Sequence, residues 1–183
     1  LQHTYGDFAD PATHLVVLLN ELRQINGARK ACGTRTDKEH IDIDAAPDAV
    51  WGVLNDFGGV ARWAPFLRSA SLVGEIERGV GSYRVMRHYW GFRLEESVVE
   101  WRDHEGYTFE VLIVPFPIGK VKESWSLEGG NPHVTVTSTV SYGMRLGPLG
   151  ILLDWVFVRH LIRHEMRVGL RGLRAYVESR QSM

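Results

Sequence analysis

The chain of 183 residues is poor in several things, and each shortage excludes something. It has a single cysteine, Cys32, so neither an internal disulfide nor a cysteine-based metal cluster can form. It has no long apolar run. Leu15 to Leu19, the longest near the start, is far too short to cross a bilayer. That run also lacks a basic flank and a small-residue cleavage site, so it makes a poor signal peptide. The chain begins with Leu1 rather than Met, and residues upstream are expected. Charge of one sign is missing too. A net charge of -1 provides no general attraction to nucleic acid or anionic lipid. There is no Gly-x-Ser-x-Gly elbow for a nucleophilic serine. Gly79-Val80-Gly81 lacks the third glycine and the helix of a nucleotide site.

What is present is ordinary in amount and informative in order. Hydrophobic residues make up 44% and charged residues 23%, as in a globular protein with room for one core. Asp10-Pro11 reads as a helix start, followed by the stripe Leu15, Leu18, Leu22, Ile25. Residues 27–39 are polar and glycine-containing and read as a linker. His40–Asp44 alternates as a strand, Pro47–Asn55 reads as a helix, and Val60–Trp63 as a second short one. Strands are then expected at 69–77, 81–89, 92–103, 106–114, 120–127 and 133–142, separated by turn residues at hairpin spacing. The last element is a long helix from about Ile151 to Ser179. Its apolar stripe is Trp155, Val158, Ile162, Met166, Gly169, Leu173 and Tyr176.

Strand alternation assigns faces. Tyr107, Phe109, Val111 and Ile113 share one face, as do Val121, Glu123, Trp125 and Leu127. Phe92, Leu94, Glu96 and Val98 form a third set, and Val134, Val136, Ser138, Val140 and Tyr142 a fourth. For residues 81–89 two registers stand open. A two-residue Trp90-Gly91 turn points Tyr83, Val85, Arg87 and Tyr89 inward, and this is the favoured reading. A bulge points Arg84, Met86 and His88 inward instead. Glu96 and Glu123 then fall on otherwise apolar faces. They are either polar anchors in a pocket, with Arg87 as counter-ion, or carboxylates at its wet mouth. His160 and His164 have the spacing of two metal ligands but lie opposite the stripe among arginines, so a solvated outer face is expected. Leu153, Val156 and Phe157 on that outer side need cover, from the N-terminal helix or a second copy.

These residues carry a resemblance. IDIDAAPDAVWGVLNDFGGVARWAPFL, GVGSYRV, ESVVEW and the long last helix occur in the order and spacing of the START-like, helix-grip (SRPBCC) superfamily. That group includes polyketide cyclase/dehydrase-type proteins, lipid-transfer domains and Bet v 1-like proteins. The resemblance runs from His40 to about Ser179. It implies an α+β fold, a seven-stranded antiparallel sheet wrapped around the C-terminal helix, over residues 39–183, with 1–38 as a helical extension and linker. It implies a hydrophobic pocket for a small organic or lipid-like ligand. Its expected lining is Trp63, Tyr83, Arg87, Tyr89, Leu94, Glu96, Phe109, Val111, Ile113, Glu123, Trp125, Val136, Val158, Ile162 and Met166. An aromatase/cyclase is the alternative, with Arg87 polarising a carbonyl and Glu96 or Glu123 moving protons. A lipid or quinone carrier at a membrane surface is the third reading. No cofactor, metal, nucleic acid or integral membrane segment is expected. A homodimer and a cytoplasmic location are compatible with this reading.

Overall fold

The structure is a computed structural model that describes residues 32–130 and 133–181. Seven strands form one antiparallel sheet in the order β1-β7-β6-β5-β4-β3-β2. They are β1 (Cys32–Asp44), β2 (Leu67–Leu72), β3 (Tyr83–His88), β4 (Arg93–Arg102), β5 (Gly106–Ile113), β6 (Ile118–Gly130) and β7 (His133–Met144). Between the edge strands β1 and β2 the chain forms helix α1 (Pro47–Leu54) and a 3-10 turn (Phe57–Arg62). Strands β2 to β7 form a meander, joined by short hairpin connections except between β2 and β3, where residues 73–82, expected as parts of two strands, form a longer loop. The chain ends in α2 (Gly147–Leu153), a π-turn (Asp154–Val158) and α3 (Arg159–Gln181), wound as one helical rod. Among the described residues, no helix is long and apolar enough to cross a membrane. This is the helix-grip fold implied by the motifs.

The rod lays Val158, Met166, Leu170, Leu173 and Val177 against the concave face of the sheet. Glycine lets it come close. A Cβ at Gly172 would collide with the carbonyl oxygen of Trp63, so only glycine permits that approach. The strand faces assigned by alternation hold on β7, where Val134, Val136, Ser138, Val140 and Tyr142 are all buried.

Five local expectations are corrected. Residues 32–39 are not linker but the first half of β1, paired with β7 from Met144 to Ser138. The strand hides its character because its inward side carries Arg35, Asp37 and Glu39. Helix arginines supply their partners: Arg163 bonds to Asp37 and Arg167 to Glu39. Those two arginines are therefore clamps, not a purely solvated face.

In the β3–β4 hairpin, the His88 amide donates to the Phe92 carbonyl around a three-residue loop closed by Gly91 at φ 89°. That loop needs one more residue than a two-residue turn, and a left-handed one, which glycine provides. The extra residue turns Arg84, Met86 and His88 inward. Arg87 and Tyr89 are exposed and Tyr83 sits on the convex side with Glu95.

On β5, a bulge between Val111 and Ile113 pairs Ile113 with the convex-side Glu95. The wider i→i+5 winding of the π-turn changes the phase of the rod, so Asp154 turns inward and Trp155 outward, 60% exposed. Finally, the rod begins at Gly147, four residues before the expected start. The expected N-terminal helix lies outside the described residues.

Candidate functional site

The sheet's concave face carries a polar cluster in an apolar setting. Arg84 comes from β3, Glu96 from β4, Tyr107 from β5, Glu123 from β6 and Ser138 from β7. Antiparallel pairing makes Arg84–Glu96 direct cross-strand neighbours, and Glu123 pairs with Phe109 and Val140. The Arg84 Nε donates to Glu96 Oε2 at 2.7 Å and its Nη2 lies 2.5 Å from the same oxygen. Its Nη1 donates to the carbonyl of Phe57 at 2.7 Å. The guanidinium also lies against two aromatic rings, with Cζ 3.8 Å from the centre of Phe57 and 5.2 Å from that of Phe109. Both Arg84 and Glu96 are buried.

Glu123 accepts a 2.8 Å bond from the Ser138 hydroxyl. The cluster holds two carboxylates and one cation, so one acid is in excess. Burial, together with repulsion from Glu96, pushes the Glu123 carboxyl up to about 7, against the pull of Ser138 and Arg84. Burial also raises Glu96, opposed by Arg84, and raises the Tyr107 hydroxyl well above the usual range. The surplus carboxyl is thus poised between its two protonation states near neutral pH.

Above the cluster lies a cavity of about 60 Å³. Its lining includes Val60, Trp63, Phe66, Leu67, Arg84, Met86, Leu94, Glu96, Phe109, Glu123 and Trp125. The buried Trp63 indole N–H has no acceptor among the described residues. A wider, shallow groove of about 300 Å³ runs between α1 and the end of α3, lined by Asp48, Ala49, Gly52, Val53, Val177, Arg180 and Gln181. It contains no enclosed polar group, so the chemistry points to the smaller space.

Six of the residues expected from sequence line this cavity: Trp63, Leu94, Glu96, Phe109, Glu123 and Trp125. Val111 and Val136 belong to the core beside it. Val158, Ile162 and Met166 pack in a separate cluster with Val140, Tyr142 and Met144, away from it. Arg87, Tyr83, Tyr89 and Ile113 are corrections, displaced by the turn and the bulge. Arg84 takes the place assigned to Arg87. Arg84, Met86, Val60, Phe66 and Leu67 are not in the expected lining. The positive-φ glycine after Tyr89-Trp90 is the signal that would have placed the first two.

A second buried polar cluster ties β1, β7 and the π-turn. The Tyr142 hydroxyl donates to Asp154 Oδ1 at 2.5 Å, and Arg35 Nη1 donates to Asp154 Oδ2 at 3.3 Å. Arg35 also bonds to Asp37, which Arg163 clamps from the helix. A third contact joins His88 to Glu165 of α3 at 3.1 Å, while His88 Nδ1 accepts from the Trp90 amide. With both ring nitrogens engaged, His88 is a tether rather than a free base. His160 and His164 are exposed, as expected.

The chain belongs to the polyketide cyclase/dehydrase and lipid transport family, whose profile matches residues 35–178. A search of curated proteins finds no match. Among solved structures, it is similar to the Zhui aromatase/cyclase from Streptomyces sp. R1128, with a TM-score of 0.67 and 15% identity over 81% of this chain and 96% of that one. The di-domain ARO/CYC StfQ of the steffimycin biosynthetic pathway matches with a TM-score of 0.69 and 13% identity, over 97% of this chain and 63% of that one. Ara h 8.0201 matches with a TM-score of 0.64 and 15% identity, over 80% of this chain and 99% of that one. At these identities the structures show a shared helix-grip fold.

Proposed function

We propose that this family member binds a hydrophobic small molecule bearing a carbonyl or hydroxyl group, in the space between the sheet and α3. The observation that carries the reading is the surplus carboxyl of Glu123, aimed with Arg84 and Glu96 at an otherwise apolar cavity. Buried polar groups are normally satisfied within the protein. Here an acid without its own cation and a tryptophan, Trp63, whose indole N–H has no acceptor among the described residues, line the same small cavity. A ligand oxygen would complete both. Organic ligands usually occupy about 300–1,000 Å³, so occupation requires α3 to lift from the sheet. The rod is held near its middle by side-chain contacts, Arg163 to Asp37 and Glu165 to His88, that can loosen.

The second reading, an aromatase/cyclase, is favoured by the same Glu123. An acid titrating near neutrality is suited to moving protons during aldol closure and dehydration. Against it, the Arg84 guanidinium is already committed to Glu96 and to the Phe57 carbonyl. It is therefore less free to polarise a substrate carbonyl. Binding ranks first for that reason. Carriage at a membrane depends on a surface rather than on the pocket.

The test is native mass spectrometry of the purified chain, combined with displacement of an apolar fluorescent probe. A co-purified apolar compound, or a probe displaced by aromatic polycycles and weakened by Leu94→Trp, supports binding. Probe affinity unchanged in Leu94→Trp, with no adduct by mass, overturns it. Dehydration of a poly-β-ketone by the wild type, lost in Glu123→Gln, would move the assignment to the cyclase.

A further inference from the structure

Residues 146–158, LGPLGILLDWVFV, contain one charged side chain, Asp154, and it is turned inward onto Tyr142 and Arg35. Only Gly150, Asp154 and Val158 of this stretch are buried, one residue per turn. The rest of the surface is apolar and exposed: Leu146, Leu149, Ile151, Leu152, Leu153, Trp155, Val156 and Phe157, with Trp155 and Phe157 at 60% and 61%. Phe116 adds to it from the β5–β6 loop, whose Pro117 carbonyl accepts from the Arg145 amide. A helix that is apolar nearly all round is normally enclosed on all sides, and among the described residues this one is touched along one edge.

The charges around it are of one sign. No exposed acid occurs between Met144 and His164, and none occurs in residues 111–122. Arg145, Lys120 and Arg159 flank the apolar surface, and none of them is in an ion pair among the described residues. Arg159 lies over the Trp155 ring at 5.3 Å. We propose that α2, the π-turn and Phe116 form a docking face for an anionic lipid surface, with the apolar side chains in the acyl boundary and the cations at the headgroups. A self-complementary dimer would set the same cationic rim against itself, which costs energy. Anionic headgroups complement it. Trp and Phe beside Arg are the composition of an interfacial helix. The chain's net charge of -1 hides this, because the positive end is local.

The experiment is flotation of the full chain with phosphatidylcholine vesicles, with and without phosphatidylglycerol. Binding is expected with phosphatidylglycerol, weaker in its absence and weaker in high salt. Trp155→Glu with Phe157→Glu should lower the bound fraction about tenfold or more, at unchanged melting temperature, because both side chains are exposed. Arg145→Glu with Lys120→Glu should abolish the preference for anionic vesicles. Absence of flotation, or equal flotation of all variants, overturns the proposal. So does a concentration-dependent dimer that the Trp155→Glu, Phe157→Glu variant dissolves while vesicles leave the wild type unbound. That result would assign the face to a second copy.

Discussion

The two buried polar clusters use nearly the same parts and do different things. Around Arg84, one guanidinium meets two carboxylates, a tyrosine and a serine beneath an empty space. Around Asp154, two guanidiniums, Arg35 and Arg163, meet two carboxylates, Asp37 and Asp154, and a tyrosine. The second set is balanced, and its arginines reach solvent, with side chains 34% and 40% exposed. It is a lock between sheet and helix. The first set is enclosed and one cation short, so a carboxyl is left to titrate. The ratio of charges and their access to water decide which cluster is a fastening and which is a site.

The largest effect expected to sharpen this contrast is that of Arg84→Met. It strands Glu96 in a buried position and should cost about 3–5 kcal/mol in denaturant unfolding. The double variant Arg84→Met, Glu96→Leu should recover much of that loss. If the single variant is near neutral, the cluster is not desolvated as described.

Next comes pH. The Glu123 carboxyl is raised from 4.5 to about 7 in the folded protein, so folding favours its proton. The stability it contributes is present in full below about pH 4.5 and is lost as pH rises through about 7. The whole shift corresponds to roughly 3 kcal/mol. Glu123→Gln should flatten the stability profile across that window. A profile unchanged by the substitution would equate the two clusters.

Asp154→Asn should cost less than the loss of Arg84, about 1–2 kcal/mol, because Arg35 can turn to water. Its effect on probe binding should be small. An equal loss of affinity in Asp154→Asn and Glu123→Gln would erase the distinction between lock and site. The smallest effect expected is that of Arg87→Ala. The side chain is exposed on the convex side, and its removal should stay within about 0.5 kcal/mol and leave probe affinity unaltered. A loss of affinity there would restore the two-residue turn.

Much of this was legible in the chain. Period-2 alternation put Glu96 and Glu123 on the concave side, since a strand with one buried face must alternate. The spacing Val158, Ile162, Met166, Leu173 identified the gripping helix, since only one stripe can face a sheet. Both are local consequences of backbone geometry acting on side-chain polarity. What remained hidden was set by events one residue long. A third loop residue at Tyr89-Trp90-Gly91 exchanged Arg87 for Arg84, a bulge turned Ile113 outward, and a π-turn exchanged Trp155 for Asp154. Each shifts the phase of everything beyond it without changing the periodicity on either side, so pattern alone cannot register it.

The first half of β1 was hidden for a different reason. Its inward residues Arg35, Asp37 and Glu39 are charged because the helix residues Arg163 and Arg167, more than a hundred positions away, supply their partners. The sequence by itself determined the elements, their order and the two carboxylates in an apolar face, because those follow from neighbours along the chain. Only the tertiary structure decided which arginine meets them, which cluster is balanced and which apolar turn the other described residues leave uncovered. Charge pairing and burial are relations between strands and helix that become defined once the sheet has closed around the rod.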